Sequence, residues 1–228
     1  MSWMVKHISY QELEAEIAKQ GPNISFPDFY GCLRLEMDKL PDGIQSLTVC
    51  GRVLADKLKE LPDNFSIWVH REELSLHGLE TVGNNVTIFA DGNVSIGKWV
   101  MSSAKPGFNY LERYPHVTIG DNVTIFAGCH LLMPCLEKLG SNATFNCIHN
   151  IDMNGLSVMG NNAKITSRWH DIELYHLENM GENCTLSAEF ILMPKISSDE
   201  CTATINAKRG VGYKDKPLLD GVSRQPLW

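Results

Sequence analysis

The chain has 228 residues, 43% hydrophobic and 21% charged, which is enough apolar material for a large buried core. Its formal charge of −7 is the wrong sign for gripping a nucleic-acid backbone. No apolar stretch approaches the roughly 18–20 residues that span a bilayer. The sequence therefore predicts no nucleic-acid partner and no membrane partner.

The first segment, 1–39, reads as an N-terminal cap. It contains a helix over about 10–19, with Ser9 as N-cap and Glu12 three residues on at capping-box spacing. The opening run to Tyr10 leads into Glu12 and Glu14 without the apolar core of an export signal. Seven cysteines, at 32, 50, 129, 135, 147, 184 and 201, are odd in number and never spaced Cys-x-x-Cys. They read as reduced thiols of a cytoplasmic protein, or of one delivered to a host cytosol without a cleaved signal.

From residue 40 to 195 one motif recurs. Leu61-Pro-Asp-Asn-Phe-Ser-Ile, Val82-Gly-Asn-Asn-Val-Thr-Ile, Ile119-Gly-Asp-Asn-Val-Thr-Ile, Leu139-Gly-Ser-Asn-Ala-Thr-Phe, Met159-Gly-Asn-Asn-Ala-Lys-Ile and Met180-Gly-Glu-Asn-Cys-Thr-Leu share it, and Leu40-Pro-Asp-Gly-Ile is a looser copy. The anchors at 40, 61, 82, 119, 139, 159 and 180 are 20 or 21 residues apart, except for one interval of 37. Leu58, Leu79, Leu136, Leu156 and Leu177 keep the same register three residues earlier. The repeated Asn-x-Ser/Thr is thus a structural motif rather than a set of glycan acceptors.

Gly or Pro beside Asn is turn chemistry, in which Gly permits positive φ, Pro presets its own φ and Asn can bond its side chain to nearby backbone. The period-two alternation that follows is a half-buried strand. One strand per 20–21 residues must pair with its copies in neighbouring turns. The predicted fold is all-β: a single parallel β-solenoid of 20–21-residue turns with a short N-terminal helical cap. The 37-residue interval reads as one turn carrying an inserted loop at about 99–117, with two shorter turns as the alternative. Residues 196–228 read as a C-terminal cap or tail.

Two resemblances attach to these residues. Leu40-Pro-Asp-Gly-Ile-Gln-Ser-Leu and Leu58-Lys-Glu-Leu-Pro-Asp-Asn-Phe, within 40–70, resemble the leucine-rich repeats of bacterial effectors, which implies a protein-binding solenoid. Ile119-Gly-Asp-Asn-Val-Thr-Ile-Phe-Ala-Gly-Cys-His, within 117–131, is similar to the hexapeptide repeat of left-handed β-helix acyltransferases. That resemblance implies an acyl-CoA cofactor and His130 as general base, although those proteins have 18-residue turns.

Read vertically, Asn93, His130, Asn150 and His170 form a polar file, either a hydrogen-bonded ladder or the setting of a histidine base. Cys129 is expected to stack over His149, as buried structure or as a reactive pair. No compact metal-ligand motif is present, so no metal is predicted, and Gly92-Asn-Val-Ser-Ile-Gly-Lys-Trp lacks the hydroxyl a P-loop needs. Trp99, Phe108, Tyr110, Arg113 and Tyr114 crowd the segment that breaks the repeat and are the predicted partner-binding residues. The function expected is that of a non-catalytic interaction protein binding a protein partner without a cofactor. Acyl-CoA-dependent transfer at His130 is the alternative, and homo-oligomerisation through the exposed sheet stays open.

Overall fold

Alternating apolar and hydroxyl side chains can satisfy a backbone only by pairing sideways, and here every strand pairs in parallel with the next turn. A computed structural model describes residues 4–98, 115–197 and 201–213. The chain is a parallel β-solenoid of about nine turns with three strand columns. The first column stacks β2 (Asn23–Phe26), β4 (Ser46–Val49), β7 (Ser66–Val69), β10 (Thr87–Ala90), β13 (Thr124–Ala127), β16 (Thr144–Cys147), β19 (Lys164–Ser167), β22 (Thr185–Met193) and β23 (Thr204–Tyr213). The second stacks β1 (Val5–Ile8), β3 (Cys32–Leu35), β5 (Arg52–Leu54), β8 (Leu74–Leu76), β11 (Val94–Ile96), β14 (Leu131–Leu132), β17 (Ile151–Asp152) and β20 (Ile172–Glu173), then meets the far half of β22. The third stacks β6 (Glu60–Leu61), β9 (Thr81–Val82), β12 (Val117–Ile119), β15 (Leu136–Leu139), β18 (Val158–Met159) and β21 (Asn179–Met180).

Side chains of all three columns meet on the axis. Ile67, Ile88, Ile125, Phe145, Ile165 and Leu186 stack as one file, each at 1% exposure or less. Each such side chain contributes roughly 1.5–3 kcal/mol of burial. The copies on either side of the 37-residue interval pair directly, Thr87 with Thr124 and Thr81 with Thr118. They are therefore adjacent turns, and the extra residues enter after β11.

The helix α1 (Tyr10–Gln20) has the expected capping box: Glu12 N–H donates to Ser9 Oγ, and Ser9 N–H donates to Glu12 Oε2. Its Leu13 is fully buried, and the helix packs on β2. Parallel pairing begins ahead of residue 40, since β2 pairs with β4 and β3 with β5, and β23 carries it past residue 195.

The motif turn works differently from its sequence reading. The positive φ falls on the asparagine: Asn64, Asn85, Asn122, Asn142, Asn162 and Asn183 all lie at φ 56–61°, and Gly43 takes the same place in the looser copy at φ 85°. Asn tolerates this left-handed conformation better than other non-glycine residues. The preceding glycines serve close approach instead, with each turn's glycine lying on the backbone of the one before.

The asparagines also form a ladder. Each amide Nδ2 donates to the Oδ1 of the previous turn, from Asn85 to Asn64 (3.0 Å), Asn122 to Asn85 (3.0 Å), Asn142 to Asn122 (2.9 Å), Asn162 to Asn142 (2.9 Å) and Asn183 to Asn162 (3.3 Å). Asn142→Leu is expected to cost about 2–3 kcal/mol in urea unfolding, from two exposed hydrogen bonds and a strained left-handed residue. Asn142→Gly should recover the backbone share, about 1 kcal/mol. Equal losses for the two variants would show that the conformation is not what the asparagine supplies.

Candidate functional site

The corner between the first and second columns carries most of the polar chemistry. Gly128, Cys129 and His130 separate β13 from β14, whereas Arg168, Trp169, His170 and Asp171 separate β19 from β20. That extra residue shifts the register. Asp171, not His170, continues the file of Asn93, His130 and Asn150. His130 N–H donates to Asn93 Oδ1 (3.0 Å), and Asp171 N–H donates to Asn150 Oδ1 (3.2 Å). Two of the file's three steps are thus bridged by an asparagine side chain, and the step from His130 to Asn150 is joined through the backbone alone.

The histidines make a stack of their own. The His130 and His149 ring centroids are 5.3 Å apart, and those of His149 and His170 are 5.1 Å apart. Burial, then the neighbouring His149 and His170, pushes the His130 imidazole below its ordinary range and so favours its neutral form. His149 meets Cys129 through its backbone, N–H to carbonyl at 2.9 Å, while its ring lies on His130. Burial raises the Cys129 thiol and pushes Cys147 up to about 12, the opposite of what a thiolate nucleophile needs. The described cysteines are all unpaired, and the described residues contain no group of three or more His, Cys, Asp or Glu able to hold a metal.

Trp99, Phe108, Tyr110, Arg113 and Tyr114 lie outside the described residues. The sequence reading missed a second aromatic group, on the outward face of the first column. Trp68, Phe89 and Phe126 are register partners in β7, β10 and β13. Their rings stack at 5.4 and 4.9 Å, and Trp68 is 37% exposed. Thr48, Asn146 and Thr166 occupy this position in other turns, so the strip covers three adjacent turns. Reading the residue after each motif's last apolar position as a vertical file would have found it. At the other end of the solenoid Trp169 is 52% exposed, with the Arg168 guanidinium 5.0 Å and the Lys208 ammonium 5.7 Å from its ring.

A further group lies on the second column. Asp56 follows β5, His77 follows β8, and Ser95 is the outward residue of β11. His77 Nδ1 is 3.3 Å from Asp56 Oδ1, and His77 Nε2 is 3.3 Å from Ser95 Oγ. Arg34 Nη2 reaches Asp56 from the far side at 3.9 Å. Beside these residues runs a groove of about 770 Å³ lined by Arg34, Arg52, Leu54, Val5, Glu72 and Glu73, among others.

The architecture places the chain in the class of parallel β-solenoid proteins. No protein-family model matches it, and neither does any curated protein or solved structure. Among the described residues no helix is long and apolar enough to cross a membrane.

Proposed function

We propose that the protein is an interaction solenoid that binds a protein partner through the outward face of its first strand column. The carrying observation is the Trp68–Phe89–Phe126 stack, three aromatic rings on a sheet face that elsewhere shows hydroxyls and amides. Aromatic side chains offer large contact area at small entropic cost, and they anchor protein interfaces. The leucine-rich resemblance at 40–70 inclines this reading toward a bacterial effector or regulator. The unpaired cysteines fit work in a cytosol.

The test is a pull-down with three baits: the intact protein, a Trp68→Ser/Phe89→Ser/Phe126→Ser variant, and a chain whose 100–116 segment is replaced by a Gly-Ser linker. The expected result is a stoichiometric protein partner lost with the aromatic variant, whose circular dichroism is unchanged. Capture that survives the aromatic variant but not the linker would move the interface to Phe108, Tyr110 and Tyr114. Capture that survives both would overturn this reading. Acyl-CoA-dependent transfer keeps one favourable feature, the burial of His130 beside His149 and His170, which favours the uncharged form a base needs. Thermal stabilisation by coenzyme A that disappears in His130→Ala would replace the binding role with that activity.

A further inference from the structure

We propose that Ser95, His77 and Asp56 form an acyl-transfer centre that hydrolyses a small ester bearing a carboxylate. This activity is independent of the binding role and rests on different residues. The three side chains come from three successive turns, in the order that acyl transfer requires. The carboxylate holds Nδ1 of the imidazole, which leaves Nε2 to face the serine hydroxyl. Contacts of 3.3 Å are within the looser geometry usual before substrate binds.

The solenoid builds this arrangement from register alone. Leu54 pairs with Ser75, and Ser75 pairs with Ser95, so the positions after them bring Asp56 beside His77. The next turn continues from Ile96 into Gly97, and the His77 ring leans back across the strands to Ser95 of that turn. Gly78 holds the turns close, since a Cβ there would run into the Asp56 carbonyl.

A histidine that merely ties turns together would need no more than these two contacts. The centre has two further features. Ser95 faces outward yet keeps only 8% exposure, as a shielded nucleophile does. Ser75, its register partner on the same face, is 5% exposed, and no side-chain hydrogen bond is formed by its hydroxyl among the described residues. That O–H is available to a developing oxyanion.

In the reaction Ser95 Oγ attacks the ester carbonyl carbon while His77 Nε2 takes the hydroxyl proton. The tetrahedral intermediate collapses, the carbon–oxygen bond to the alcohol breaks, and His77 returns the proton to the leaving oxygen. Water then attacks the acyl-serine with His77 again as base, releasing the carboxylic acid and restoring Ser95. Water is the only co-reactant, and no electrons are exchanged.

The groove supplies the substrate class. It runs along the same outward file, ending at Leu54, one pairing step from Ser75. Apolar Val5 and Leu54 suit a short carbon chain. Arg34 and Arg52 each retain an Nε with no hydrogen-bond partner, while Arg52 is ion-paired to Glu73 and Arg34 lies near Asp56. Both Nε atoms are shielded from solvent, so a carboxylate drawn between the two guanidinium groups would engage their outer nitrogens and take the place of Glu73 on Arg52.

The experiment uses the full chain and three probes: a biotinylated fluorophosphonate, 4-nitrophenyl butyrate, and the mono-4-nitrophenyl ester of glutaric acid. The fluorophosphonate is expected to label Ser95, located by peptide mass spectrometry. Ester hydrolysis should fall by about 100-fold or more in Ser95→Ala and His77→Gln. Arg52→Gln should raise KM about tenfold for the glutarate ester and so lower the preference for it over the butyrate ester by a similar factor. Equal handling of the two esters by wild type and Arg52→Gln would overturn the substrate class. An unlabelled Ser95 with wild-type turnover no greater than that of Ser95→Ala would overturn the centre itself. The labelling is read on the wild-type protein, so that outcome does not depend on any variant folding.

Discussion

Gly160→Ala is expected to destabilise the protein by about 3 kcal/mol, the upper part of the range for forcing one methyl into a packed site. The cause is distance rather than conformation. A Cβ at 160 would lie 2.6 Å from the carbonyl carbon of Gly140, 2.7 Å from its oxygen and 2.7 Å from Ser141 N. All three atoms belong to the backbone of the preceding turn. None can swing aside, so the turns would have to separate and stretch the bond from Gly160 N–H to the Leu139 carbonyl (2.8 Å). Gly43 is the informative contrast. Its φ is 85°, and a Cβ there meets nothing within 4 Å. Asn is the residue found at this place in the later turns, so Gly43→Asn should be nearly neutral while Gly160→Asn should be worse than Gly160→Ala. Urea unfolding followed by circular dichroism compares them. Similar losses at 43 and 160 would refute the division of labour between close approach and left-handed conformation.

Asp152→Asn is expected to stabilise the protein at pH 8 by up to about 4 kcal/mol and to change little at pH 4. Asp152 sits on the outward face of β17, in register with Glu173 of β20. Burial, then the like charge of Glu173, raises its carboxyl from the ordinary 3.8 to about 7. A carboxyl with a raised folded-state pKa favours the fold in its protonated form. Its stabilising share is intact below pH 3.8 and lost as pH rises to about 7, at roughly 1.4 kcal/mol per unit of difference. The amide introduced by Asp152→Asn would retain an acceptor for the Asn154 N–H that now donates to Asp152 Oδ1 at 3.1 Å. Thermal melts of both proteins between pH 4 and pH 8 supply the comparison. Parallel curves would mean that Asp152 titrates normally.

The repeat made the architecture legible before any coordinates, because an apolar residue such as Ile125 must face the axis whichever way the solenoid winds. The helix start was legible for a local reason, since Ser9 and Glu12 need only each other. The turn was misread at Gly, because sequence cannot separate a glycine used for its φ from one used for its missing side chain. Pro62 held the clue. Proline shares the position of Gly83, and its φ is fixed negative. The Trp68 strip and the Asp56–His77–Ser95 group left no local motif. Their members lie 21, 37 and 18 residues apart, and only the pairing of successive turns brings them together. The His170 register failed on a single residue, the additional one between Ser167 and Ile172.

That residue belongs to a wider pattern. Arg71, with φ 72°, is the extra residue between β7 and β8, and it places its guanidinium 5.1 Å from the Tyr30 ring. The four residues before β20 include the exposed Trp169, and the long interval opens after β11. At these three places length variation enters between strands and leaves the first-column register intact, whereas single extra residues sit within the β12–β15 and β22–β23 pairings. Across the turns of this chain the strands form a common chassis and the corners its interchangeable fittings. A lineage could acquire or discard a surface specificity by lengthening one corner, without renegotiating the core beneath it.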